Sequence, residues 1–456
     1  MTDKRIALMA HLMRRAGFGA SYGELAARAA RGYEATVDEL VYPGSNGVPE
    51  FDELAMDRYY PGHEYPTSPY LGASNFMYHL LTTPRPLEEK MVLFWHMVFA
   101  TGDAKVDNIT QMVHQIGMFR RYGMGSYREL LVRLAMDPAM IFWLDNNENH
   151  KGSPNENWGR ELLELFSMGQ GNYTEQDVFE AARAFTGWTI SPKVPGANLW
   201  SFEYRPEDHD FDEKVFLGER GRFNGEDVID IIARRPATSR FIARHLYNFF
   251  VADEVQVPSW NDIPPQDPGA VEAIAAALVS SDYDIAETLR FLFNSDFFKD
   301  EAVWFTKVRS PAEVVVSTVR LVGEYGQLKH GVMELAFESV YQGQDLLNPP
   351  SVEGWHTGKE WIDGGSLVRR INFCADRLSN PGLPGVRDII ARLKEREGRS
   401  PRELVDGCLE LLGSVRLGEE TYDEVVGHAE DAPDAFEDRV AKVLQLIGAT
   451  KEYQFC

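Results

Sequence analysis

DNNENHKGSPNENWGRELLELFSMGQGNYTEQDVFEAARAFTGWTI, residues 145–190, reads as two helices joined by a glycine turn. Ser153, Pro154 and Glu156 have the residue types of a helix start. Serine accepts from an orphan N–H, proline wastes no donor at N1, and glutamate reaches back to the cap. At about 100° per residue, Trp158, Leu162, Leu165 and Phe166 then share an apolar face, while Asn157, Arg160, Glu161 and Glu164 share a polar one. Gly169-Gln170-Gly171-Asn172 ends this helix, Thr174 with Asp177 caps the next, and Val178, Ala181, Ala182 and Phe185 give the second its stripe.

The same alphabet extends along the chain. Ser-Pro-x-Glu recurs at Ser310/Pro311/Glu313 and Ser400/Pro401/Glu403, and Ser21 with Glu24 predicts a further capping box. Helical windows fall at 86–100, 109–122, 127–136, 225–234, 237–250, 269–280, 284–294, 312–325, 366–379 and 387–396. Strand-like alternation is confined to 199–217, where a short hairpin is expected. The fold class is therefore mainly α: a multi-helical globular protein with long irregular loops at 43–68, 190–222, 251–268 and 343–365. With 456 residues, two or three packed units are expected. The Asn380-Pro381-Gly382-Leu383-Pro384-Gly385 stretch divides a main helical domain, 1–380, from a smaller C-terminal helical segment, 381–456.

Composition narrows function. A net charge of −24, with no Lys/Arg run interleaved with aromatics, disfavours nucleic acid and anionic lipid surfaces. No stretch approaches the roughly 20 apolar residues of a membrane span. The apolar run at the N-terminus is broken by His11, Arg14 and Arg15, so no signal peptide is read. The chain as written is expected in the cytoplasm, with an extracytoplasmic location if a leader was removed. Cys374, Cys408 and Cys456 have neither CxxC spacing nor a histidine at metal spacing. P-loop, GxGxxG, GxSxG, HExxH and paired Glu-x-x-His patterns are absent from the sequence, and no cofactor is identified.

Candidate chemistry centres on the polar face of the first motif helix. Glu156 is accounted for by the cap, and Arg160 in part by an (i, i+4) pair with it. Glu161 and Glu164, at (i, i+3), repel each other unless a proton, a cation or a metal lies between them. These two are the candidate acid/base pair, with Arg160, His96 and His209 as further catalytic candidates. Asn155, Asn157, Asp210, Lys214 and Trp355 are candidates for binding substrate. His96 lies in an apolar helix, where a lone histidine more often serves the core. Trp355, in NPPSVEGWH at 348–356, reads either as a pocket wall or as a plug between helices.

HLMRRAGFGAS at 11–21, KMVLFWHMVFATGDAKV at 90–106, the block at 137–178, ARAFTGWT at 182–189, HDFDEKVFLG at 209–218, NPPSVEGW at 348–355 and KEYQFC at the end resemble the bacterial family catalogued as domain of unknown function 1800. The resemblance spans essentially the whole chain. It implies a large, mainly helical bacterial protein, often made with an export signal and often encoded beside a sulfatase-like partner. Val98 stands where many relatives have a second histidine after Trp95-His96, which weakens a two-histidine metal site there.

Three functions fit these residues. The first is a carboxylate-based enzyme, hydrolytic or lytic, acting on a small polar or glycan-like substrate. The second is a non-catalytic binding or assembly protein that docks a protein partner through the same face. The third is a metal-dependent enzyme in which Asp145, Glu148, Glu161, Glu164 and His209 converge.

Overall fold

A computed structural model describes residues 3–63, 65–192, 199–326, 329–395, 400–430 and 435–456. Twenty-four α-helices and two two-stranded antiparallel sheets occur among them, so the protein is mainly α. Part of the 190–222 loop and Arg396, at the end of one expected helix, lie outside the described residues.

The helix Pro86–Val98 is buried nearly all round, with Leu87, Met91, Val92, Phe94 and Trp95 in the core. Each such side chain contributes roughly 1.5–3 kcal/mol of burial free energy. It packs on Ile109–Tyr122 and on Pro69–Thr82. Pro69–Thr82 in turn meets Pro311–Leu321 and Val332–Tyr341. A second stack runs from Pro236–Phe250 through Pro268–Ser280 and Ile285–Asn294 to Tyr33–Val41.

Beyond residue 380, four helices between Pro384 and Ala449 pack on one another, and Phe436–Ala449 lies along Gly364–Leu378. Their apolar side chains continue the main core without interruption. Backbone pairing adds to this continuity: Arg309 N donates to Gln454 O at 3.1 Å, and Cys456 N to Lys307 O at 2.9 Å.

The expected capping boxes form at Ser310/Glu313, Ser400/Glu403 and Thr174/Asp177. Ser21 accepts from Glu24 N, but the glutamate turns to Arg28 at 2.9 Å, leaving half a box. Ser153 is a correction. The first motif helix begins at Asn157, not at Pro154, and no side chain caps it from the N-cap residue Glu156. Ser153 instead bridges His150, backbone to backbone, and the Glu156 carboxylate pairs with Arg160 at 3.1 Å.

Two antiparallel strand pairs form, each with one strand inside 199–217, where a single hairpin is expected, and one outside it. Trp188–Pro192 pairs with Trp200–Tyr204, and Lys214–Phe216 pairs with Glu219–Gly221 around a Leu217-Gly218 turn. Pro69–Thr82, Glu53–Tyr59 and Val332–Tyr341 are helices outside the expected windows.

Candidate active site

The two motif helices, Asn157–Glu164 and Glu175–Ala184, cross in close contact. Gly159 permits this: a Cβ there would sit 3.0 Å from Val178 O and 3.1 Å from Ala182 N. Trp158, Leu162 and Leu163 face the core, which turns Arg160, Glu161 and Glu164 outward.

The asparagine-rich loop before the first helix is a structural clasp. Asn146 Nδ2 donates to Trp188 O at 2.8 Å, and Asn149 Nδ2 to Ala182 O at 2.8 Å. Asn149 Oδ1 accepts from Asn155 N, and Asn155 Oδ1 accepts from Asn157 N, both at 3.0 Å. The side-chain amides thereby satisfy N–H groups that the displaced serine does not. Asn157 Nδ2 donates to Asp145 Oδ2 at 3.1 Å, and Asp145 pairs with Lys105 at 2.8 Å.

Arg160 is fully engaged at the surface. It meets both oxygens of Glu175, at 3.0 and 2.7 Å, as well as Glu156. Its neighbour Glu161 is the contrast: half-buried, it accepts no hydrogen bond from any described residue. Burial pushes its carboxyl up to about 7, with Glu164 and Glu353 adding repulsion against the opposing pull of Arg160. Glu164 is held by two donors, Tyr173 Oη at 2.9 Å on one oxygen and Gln170 Nε2 at 2.5 Å on the other.

Glu164 and Glu353 each line one of two adjoining hollows, of about 150 and 50 Å³, which share Val257 and Pro258 as a common wall. The larger also presents Trp260 and Asn261, and the smaller presents Asn248, Gln256 and Trp355. Two long loops build the wall, and one amide joins them: Gln256 Nε2 donates to Thr357 O at 3.0 Å while its Oε1 accepts from Thr357 N at 3.3 Å. Gly354 turns the second loop at a φ of +80°, with Met97 O only 2.5 Å from where a Cβ would lie.

Trp355 is 7% exposed and packs with Val308 and Trp361. It meets His96 edge-on at 5.2 Å. His96 is buried behind it, its Nε2 accepting from Leu347 N at 3.1 Å, and burial pushes it down to about 3, so the imidazole is neutral. Val98, two residues after His96, lines the smaller hollow.

His209, Asp210 and Lys214 lie elsewhere, at the C-terminal end of the Glu175–Ala184 helix. His209 Nδ1 donates to Thr186 O at 2.8 Å, and Asp210 accepts from Arg183 Nε at 2.7 Å. The Lys214 ammonium donates to the carbonyls of Asp210 and Asp212. Burial lowers the His209 pKa despite the Thr186 carbonyl, and the Arg183 guanidinium outweighs burial to keep Asp210 low. These groups fasten a loop onto a helix end.

The structure thus places Glu164 and Trp355 on the adjoining hollows, with Glu161 near enough to Glu164 and Glu353 to feel their charge and His96 behind Trp355. Asn155, Asn157 and Arg160 share the motif helix or its entry but are taken up by other partners. Among the described residues, no three His, Cys, Asp or Glu side chains are placed to hold a metal ion. Sequence reasoning missed Asn248, Gln256, Trp260, Asn261 and Glu353 as cleft residues. Only Glu353 carried a signal, its place in the rigid loop at 348–356.

No helix among the described residues is long and apolar enough to cross a membrane. No curated protein and no solved structure matches the chain. A family model does, over residues 11–455, which include both motif helices and the cleft wall. Over nearly its whole length the chain belongs to the family described as Protein of unknown function (DUF1800).

Proposed function

We propose that the cleft is a carboxylate acid/base site that cleaves a polar, glycan-like substrate by hydrolysis or elimination. One observation carries the reading: Glu161 is a half-buried carboxyl without a hydrogen-bond partner, raised to about 7, beside a second carboxylate fixed by two donors. A group titrating near neutrality is suited to pass a proton in either direction. Glu164, oriented by Tyr173 and Gln170, supplies the second carboxylate that glycosidic cleavage requires. Trp260, Asn248 and Asn261 offer an apolar face and amides to a sugar ring. Arg160, already paired, positions the helix, and His96 positions Trp355 from behind.

The test is release of reducing ends or of unsaturated products from soluble peptidoglycan, chitin, xylan, alginate and pectate. The native protein is expected to act on at least one of them. Glu161→Gln is expected to reduce that rate about 10²–10⁴-fold, with the circular dichroism spectrum unchanged. Retention of full activity by Glu161→Gln removes the proposal.

A second reading is favoured by the exposed row Glu156, Arg160 and Glu175, whose Glu175 side chain is 77% exposed. Such a row suits a docking face for a protein partner. A stoichiometric partner retained by the native chain and lost with Arg160→Glu would support it.

A further inference from the structure

Away from the cleft, the helices Pro69–Thr82 and Val332–Tyr341 enclose a cavity of about 340 Å³ that shares no lining residue with either hollow. Its size falls in the range of small-molecule sites. Ile109, Phe337, Val340 and Leu347 form apolar walls, and Asp103 and Asp345 stand at one end.

The acidic end is built. Asp103 N donates to Leu347 O at 2.9 Å. Asn348 accepts from Ala104 N and donates to Asp345 Oδ2, each at 3.2 Å, so the two acidic segments are tied together. No described Lys, Arg or His side chain makes an ion pair with either aspartate. The Asn108 backbone N–H reaches the Asp103 carboxylate, whose Oδ1 has no hydrogen-bond partner among the described residues. Burial raises both carboxyls. At Asp103 the charges of Asp107 and Asp345 add to the rise and the Asn108 N–H opposes it, and at Asp345 the Asn348 amide opposes it. Each carboxylate thus has a neutral donor but no counter-charge, and two such groups beside an apolar wall favour a cation between them.

We infer that this cavity binds an amphiphilic ammonium compound, its N–H donors on Asp103 and Asp345 and its hydrocarbon part between Phe337, Val340 and Ile109. A hydrated metal ion would leave the apolar walls unused, and a neutral hydrocarbon would leave the two carboxylates without a counter-charge. A primary alkylammonium answers both.

Calorimetric titration of the full chain with n-hexylammonium, n-hexanol and hexanoate tests this. Hexylammonium is expected to bind at least tenfold more tightly than hexanol, with hexanoate weakest. Asp103→Asn and Asp345→Asn, each close to isosteric, are expected to erase the preference for the ammonium while hexanol still binds, which also reports that the cavity has kept its shape. Ala336→Trp, which fills the cavity, is expected to abolish binding of all three probes. Equal affinity for hexylammonium and hexanol, absence of hexylammonium binding, a preference that survives both aspartate substitutions, or binding that survives Ala336→Trp would each overturn the inference.

Discussion

Tyr173 Oη donates to Glu164 Oε2 at 2.9 Å, so one carboxylate of the (i, i+3) pair is oriented by a phenol, while Glu161, one turn earlier, has no such partner. The asymmetry gives the two carboxylates different chemistry although they stand on one helix face. Tyr173→Phe removes the donor and leaves the ring. It is expected to cost about 0.5–1.5 kcal/mol of stability, measured by urea unfolding, and to reduce activity on any substrate found while leaving Glu161→Gln as inactive as before.

Glu161 makes stability depend on pH in an unusual direction for a carboxyl. Its folded pKa, about 7, lies above the ordinary carboxylate value, so the fold prefers the protonated form. That contribution is complete below the unfolded pKa and is lost as pH rises through about 7. Glu161→Gln is therefore expected to match the native protein at the acidic end and to exceed it above neutrality. The gain is on the order of 1–2 kcal/mol after discounting for solvent screening at a half-buried site. Denaturant midpoints of both chains at several pH values provide the check, and a constant difference across the range would contradict it.

The charge of Glu353, which lines the smaller hollow, acts on Glu161. Glu353→Gln removes one source of repulsion, so the Glu161 titration is expected to move to lower pH. Carboxyl chemical shifts of labelled glutamate, followed through the titration, measure the displacement.

Gly354 carries the turn that places Glu353 and Trp355. Gly354→Ala imposes a Cβ 2.5 Å from Met97 O at a left-handed φ, and both faults must be relieved by moving the loop. Destabilisation of about 1–3 kcal/mol is expected, together with greater exposure of Trp355 to a fluorescence quencher.

The buried pair Lys90–Glu313 joins the central helix to Pro311–Leu321. Burial alone would raise Glu313, but Lys90 and Lys307 outweigh it and hold the carboxyl at about 2. Its contribution is present above the ordinary carboxylate pKa and fades as pH falls towards 2. Glu313→Gln leaves Lys90 buried beside a neutral amide, and a loss of about 3–5 kcal/mol is expected, read from thermal or denaturant unfolding at neutral pH.

Helices with one buried stripe were legible in the sequence: Ile109–Tyr122 and Tyr127–Ala135 fall where the periodicity puts them. Pro69–Thr82 was not, because every residue from Gly72 to Leu81 is buried and no polar face marks the period. At the site, Glu161 and Glu164 stood out as a like-charged pair on one face. His209 beside Asp210 had an equally suggestive local pattern, but whether such a pair faces a cleft or a helix end is decided by residues far away, here Thr186 and Arg183. The cleft's amides had no local signature at all. Gln256 and Asn248 acquire a place only once loops more than a hundred residues apart are zipped together.

The uninterrupted core across residue 380 sets a practical limit on dissecting the molecule. Phe436–Ala449 is what covers Phe373, Cys374 and Leu378 on the neighbouring helix, and Gln454 receives the Arg370 guanidinium from beneath at 3.1 Å. A shortened chain ending near Asn380 would expose a greasy ridge and leave the buried Arg370 with two acceptors, Trp361 O and Arg309 O, of its three. Such a fragment is suited to recruiting chaperones and forming inclusion bodies, so the cleft is best studied with its C-terminal helices in place.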